Sequence, residues 1–106
     1  MSAASVEFEI RIANAKVGYA NYPRPCIVEK VNRDGTAWVY FHSTKDYSEP
    51  GQSFRIRSDH PDFAATGLED TSYTVHPAKL VPVSVLVLLR GVLKGMLAKE
   101  FEEWLG

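Results

Sequence analysis

Residues 22–44 read YPRPCIVEKVNRDGTAWVYFHST, and this stretch decides the fold class. It has the pattern of two strands joined by a tight turn. Ile27, Val28 and Val31 on the first arm, and Trp38, Val39, Tyr40 and Phe41 on the second, are β-branched or aromatic residues that suit a pleated surface. Between them Asn32-Arg33-Asp34-Gly35 ends in Asp-Gly, a strong hairpin signal because glycine accepts a positive φ without steric cost. Apolar residues fall on both faces of each arm, which points to a closed or sandwiched sheet. Pro23 and Pro25 bracket Arg24, remove two backbone donors and bias their neighbours to extended geometry. Arg24 is therefore held on a stiff lead-in, as recognition of a phosphate or carboxylate requires. An arginine that merely covers a barrel rim would have the same local sequence.

The chain of 106 residues fits one domain with a single core. Its 45% hydrophobic and 24% charged content is that of an ordinary globular protein. A net charge of −1 argues against nucleic-acid binding by bulk charge but leaves room for a small site holding one or two phosphates. The lone Cys26 has no partner for an intramolecular disulfide, and it lies in the apolar run Cys26-Ile27-Val28 as a core residue would. The opening MSAASVEFEI lacks the basic and apolar regions of a signal peptide. The apolar run from Val81 to Leu89 is too short to span a bilayer. These features predict a soluble, cytoplasmic protein.

Outward from the hairpin, Val6, Phe8, Ile10 and Ile12 alternate with Glu7, Glu9 and Arg11, which predicts a half-buried strand. Residues 13–22 form a loop, and Lys45 to Gln52 form another. Phe54 and Ile56 alternate with Arg55 and Arg57. Ser58-Asp59-His60-Pro61 supplies helix-start residues and Gly67 a stop, so a single helical turn is predicted over Asp62 to Thr66. A metal site from Asp59, His60 and Asp62 competes with that capping explanation, which already accounts for the same residues. Thr71 to Val75 and Lys79 to Val87 are predicted strands, the second covered on both sides. From about Lys94 to Leu105 the period changes, and Leu93, Met96, Leu97, Phe101, Trp104 and Leu105 define an amphipathic helix laid on the sheet.

There is no glycine-rich phosphate loop, no metal-ligand spacing and no serine–histidine–acid pattern, so neither metal nor cofactor is expected. His42, Ser43 and Thr44 end the aromatic strand. As an exposed cluster they would offer a proton carrier and two hydroxyls within one loop, although polar residues also end strands by default. Tyr19 and Tyr22 are candidates to stack on a base, although loop tyrosines more often pack over a neighbouring strand. Lys45 follows the hydroxyl pair and is the third candidate for contact with substrate.

Arg24-Pro25-Cys26-Ile27-Val28 resembles the "RPaLV" opening of the second strand in the PemK/MazF family of toxin–antitoxin ribonucleases. Phe41-His42-Ser43-Thr44 falls where that family has a threonine–serine pair. The segment from Phe63 to Tyr73 is similar to the family's "f..tGL...Sy", and Val81-Pro82-Val83 and a "G.L…F..wl" helix follow in order. The resemblance runs from about residue 22 to 105 through short motifs whose order carries it. It implies a mainly β, SH3-like barrel of the CcdB/MazF type with a short helical turn and a C-terminal helix. It further implies a homodimer, an antitoxin partner and metal-independent cleavage of single-stranded RNA. In that chemistry a 2′-hydroxyl attacks the neighbouring phosphate and leaves a 2′,3′-cyclic phosphate. Arg24 would stabilise the phosphorane or protonate the leaving oxygen, and Ser43 or Thr44 would hold the phosphate.

The family's opening glycine-containing strand and loop are replaced by VEFEIRIANAKVGYANY, with no histidine before Arg24, so the resemblance names no general base. A second resemblance, to the gyrase poison CcdB, rests on Val81-Pro82-Val83-Ser84-Val85 and the Trp104-Leu105-Gly106 ending, where Trp104 would anchor a partner. A non-catalytic barrel that binds a protein is the third reading.

Overall fold

The computed structural model describes residues 7–13, 24–45, 53–75 and 78–106. The central hairpin forms as its sequence predicts, with β2 spanning Arg24–Val31 and β3 Thr36–Ser43. Gly35 takes φ 88° at the turn. Asn32 N–H donates to Thr36 O at 2.7 Å, and the Asp34 carboxylate accepts from the Thr36 hydroxyl at 2.6 Å and the Thr36 N–H at 3.1 Å. Those bonds hold the Asp34 carboxyl below its ordinary pKa, the hydroxyl contributing most. Register runs Cys26↔Phe41, Ile27↔Tyr40, Val28↔Val39, then slips at Glu29, a bulge that bends the pair and sharpens its twist.

Around this hairpin the antiparallel sheet curls. β1 (Phe8–Ala13) lies on the far side of β2, and β7 (Leu86–Leu93) lies beyond β1 as an edge. On the other side β3 forks. Its first half pairs with β6 (Lys79–Pro82), while His42 and Ser43 pair with β5 (Ser72–Thr74), which in turn pairs with β4 (Arg55–Ile56). The helix α1 (Gly95–Leu105) closes the chain. The fold is mainly β, a curled half-barrel of antiparallel strands with one C-terminal helix. Among the described residues no helix is long and apolar enough to cross a membrane.

Both faces of the sheet are packed, which explains the unbroken apolar run at Cys26-Ile27-Val28. Cys26 and Val28 join Ala13, Ala37, Val39, Phe41, Val81 and Leu86 on one face. Ile27 joins Ile10, Phe54, Ile56 and Leu93 on the other, where α1 lays Leu97 and Phe101 against them. The Phe101 ring meets Phe8 edge-on at 4.9 Å and lies 5.2 Å from Phe54. Full burial of such a ring stabilises by about 1.5–3 kcal/mol, and edge-to-face partners add roughly 0.5–1.5 kcal/mol each. Trp104 packs on Tyr40 at 5.2 Å and stacks with Phe101 at 5.7 Å, as the helix's apolar face requires.

Three expectations change. The strand predicted over Lys79 to Val87 breaks at Pro82, a 3₁₀ turn occupies Val83–Val85, and pairing resumes from Leu86. Val83 N–H donates to Gly35 O at 2.8 Å as the last rung against β3, and beyond it the partner strand has run out at the Asp34-Gly35 turn. That segment is also not covered on both sides, because Leu80, Val83 and Val87 within it are exposed. The helical turn before Gly67 is the 3₁₀ segment Ala64–Thr66, but Asp62 caps a different helix: its Oδ2 accepts from Met96 N–H at 3.1 Å, in the first turn of α1. His60 accepts from Asp62 N–H on Nδ1 at 3.0 Å, which places its proton on Nε2, 3.0 Å from Glu100 Oε2. The pair clasps this loop to α1, and among the described residues no three acidic, histidine or cysteine side chains gather as a metal site.

Candidate functional site

A cleft of about 520 Å³ opens where β1, β2, β3 and β7 meet the loop that leads into β5. Arg24, His42, Ser43, Thr44 and Lys45 all line it, joined by Glu69, Asp70, Ser72 and Arg90. Five of the seven candidates named from sequence therefore share one depression. The other two, Tyr19 and Tyr22, lie outside the described residues.

Arg24 is the first residue of β2, opposite Ala13 of β1, and it is half-buried with Nε enclosed. Pro25 next to it faces Ile12, and pairing with β3 begins only at Cys26. Arg24 is thus already a rung of the β1–β2 ladder, two residues before pairing with β3 begins, and not on a lead-in outside the sheet. At the end of β3, Lys45 N–H donates to Ser43 Oγ at 3.1 Å, a local turn that curls the chain as it leaves the sheet. Ser43 is half-buried, while Thr44 and Lys45 are exposed at the rim. Both residues line the cleft.

His42 corrects the sequence reading. It is only 2% exposed, and its backbone pairs with Thr74 of β5 where the sequence predicts an open strand end. Thr74 Oγ1 donates to Phe54 O at 2.9 Å, so it accepts from His42 Nε2–H at 3.3 Å. Nδ1 then accepts from Ser72 Oγ at 2.9 Å, and the ring is satisfied as the neutral form. Burial pushes its pKa down to about 3. A ring held this way supports the wall of the cleft and is no exposed proton carrier. Cys26 is equally removed from chemistry: burial pushes its thiol up to about 12, and Sγ–H donates weakly to Arg11 O at 3.5 Å.

Sequence reasoning gave no role to Glu69, Asp70 or Arg90. Arg90 carried a signal, since it is the sole charged residue between Val81 and Leu93. Its side chain crosses to the loop before β5, where Nε–H donates to Gly67 O at 2.6 Å and Nη2 lies 3.7 Å from Glu69 Oε1. The cleft therefore combines three cationic side chains, two carboxylates and several hydroxyls. Such a set can bind a phosphodiester, stabilise charge on its oxygens and accept a proton. No family model, curated protein or solved structure matches the chain.

Proposed function

We propose that the protein is a metal-independent endoribonuclease of toxin type, acting on single-stranded RNA, and that its curled sheet is an SH3-like barrel. The observation that carries this is the convergence of Arg24, Ser43, Thr44 and Lys45 in one cleft. The RNA 2′-hydroxyl attacks the adjacent phosphorus and gives up its proton. The P–O5′ bond breaks, leaving a 2′,3′-cyclic phosphate, and O5′ takes up a proton. Arg24 faces the charge that builds on the phosphorane oxygens, with Ser43 or Thr44 donating a hydrogen bond and Lys45 adding charge at the rim. With His42 sealed in the wall, Glu69 and Asp70 are the cleft groups able to accept the 2′-proton. Trp104, packed on Tyr40 and Phe101, is accounted for within the fold, which favours this reading over a tryptophan-anchored gyrase poison.

Two copies are proposed to pair through the edge strand and the helix. Val87, Leu88 and Leu89 stand exposed in a row on β7, and Met96 is exposed on α1. An apolar edge strand invites a second strand unless it is covered, and a two-fold contact would cover both copies at once. The test of the function is end chemistry. RNA cut in EDTA, with 2′,3′-cyclic phosphate and 5′-hydroxyl ends, is the expected result. Activity that needs added magnesium, or 5′-phosphate products, would overturn it.

A further inference from the structure

Arg90 is positioned by more than its own side chain. Along β1 and β7, Ile10 faces Gly91 and the next residue, Arg11, faces Leu89, so Arg90 is an extra residue in a bulge. Bulges re-aim the side chains they carry. The 3₁₀ turn Ala64–Thr66 and Gly67 press directly on this bulge. A Cβ on Gly91 would clash with Ala65 O, and one on Gly67 with Arg90 O. Only hydrogen at these two positions allows the approach, and the approach brings Gly67 O to Arg90 Nε. A guanidinium gripped at Nε presents its terminal amino groups as a fork, the geometry that suits two oxygens of a phosphate. Glu69, its neighbour at 3.7 Å, has a side chain 86% exposed and is readily displaced by an anionic ligand.

β1 lies between β2 and β7, so Arg24 and Arg90 start two strand spacings apart, about 10 Å across the sheet. They approach the same cleft from different strands. We propose that Arg90 is a second phosphate-binding residue, holding the phosphate next to the scissile one, so that the cleft takes a segment of single-stranded RNA and not an isolated phosphodiester. This rests on the ribonuclease reading for the identity of the ligand. The separation of the two guanidinium stems favours successive phosphates of an extended strand over a single shared one.

The test compares the whole protein with Arg90→Ala and Arg90→Lys. A pentanucleotide with 2′-O-methyl groups, which blocks the attacking oxygen, serves as the binding probe between about 50 and 200 mM salt. Arg90→Ala is expected to weaken binding about tenfold and to reduce the salt slope by roughly 0.7, the value of one phosphate contact on a single strand. Arg90→Lys keeps the slope and recovers part of the affinity. Glu69→Gln, which removes the competing carboxylate, binds the probe more tightly. In cleavage, Arg90→Ala loses about tenfold more kcat/KM on an unblocked pentanucleotide than on a dinucleotide, which has no flanking phosphate. An unchanged salt slope in a folded Arg90→Ala protein would overturn the proposal, as would equal losses on both substrates. Wild-type protein that binds the blocked probe but cuts neither RNA would remove the ribonuclease reading and leave the Arg90 contact standing.

Discussion

Burial of a neutral His42 makes stability depend on pH in a way that can be measured. In the unfolded chain a histidine titrates near 6.5, whereas burial lowers the folded value to about 3. The unfolded state therefore binds a proton that the folded state refuses. The stabilisation is fully present above pH 6.5 and is lost as pH falls from there towards 3. Each pH unit within that window costs about 1.4 kcal/mol, so the step from pH 7 to pH 5 removes about 2 kcal/mol. Other titrating groups add their own slopes, and a variant cancels them. His42→Gln keeps a donor and an acceptor for Ser72 and Thr74 but does not titrate. Urea melts at pH 7 and pH 5 should show the wild type losing about 2 kcal/mol more than His42→Gln over that interval. An equal loss in both proteins would refute the burial argument, as would a histidine resonance assigned to His42 that titrates near 6.5.

Gly67→Ala should destabilise by about 2–4 kcal/mol, read from the urea midpoint, because it combines overpacking against Arg90 O with a left-handed backbone at φ 71°. Cys26 should resist iodoacetamide in the native protein and react once urea unfolds it, given its burial and raised pKa. Native labelling at the unfolded rate would contradict its place in the core. Light scattering at micromolar concentration should give twice the 11.8 kDa chain mass, and Leu88→Lys on the edge strand should return it to the monomer. A wild-type monomer would dispose of the proposed pairing.

The elements that local chemistry specifies were legible in the sequence. Asp34-Gly35 sets its turn through bonds confined to Asn32–Thr36, and the switch from strand to helical period marks α1. The apolar residues on both sides of Ile27 required two packed faces, and both are present. What escaped depends on residues far along the chain. His42 is covered by Ser72 and Thr74, about 30 positions later, so its strand-end position gave no sign of burial. Arg90 enters the cleft because a bulge and two glycine contacts turn it there, features that exist only once β1, β7 and the Gly67 turn are assembled. The break at Val83–Val85 likewise falls where the partner strand runs out at the Gly35 turn, about fifty positions earlier in the chain.

Arg24 provides the most direct measurement of function. A preorganised guanidinium aimed at the developing phosphorane charge contributes about 3–4 kcal/mol, on the order of a hundred- to thousand-fold in rate. A rim arginine in a surface ion pair contributes at most about 1 kcal/mol to stability and nothing specific to turnover. Wild type, Arg24→Ala and Arg24→Lys should be compared on one single-stranded RNA in EDTA, with melting temperatures recorded alongside. The expected result is a folded Arg24→Ala protein that has lost at least about a hundredfold in cleavage rate, with Arg24→Lys restoring only part of it. Full cleavage by a folded Arg24→Ala protein would contradict the assignment of this cleft as a ribonuclease site.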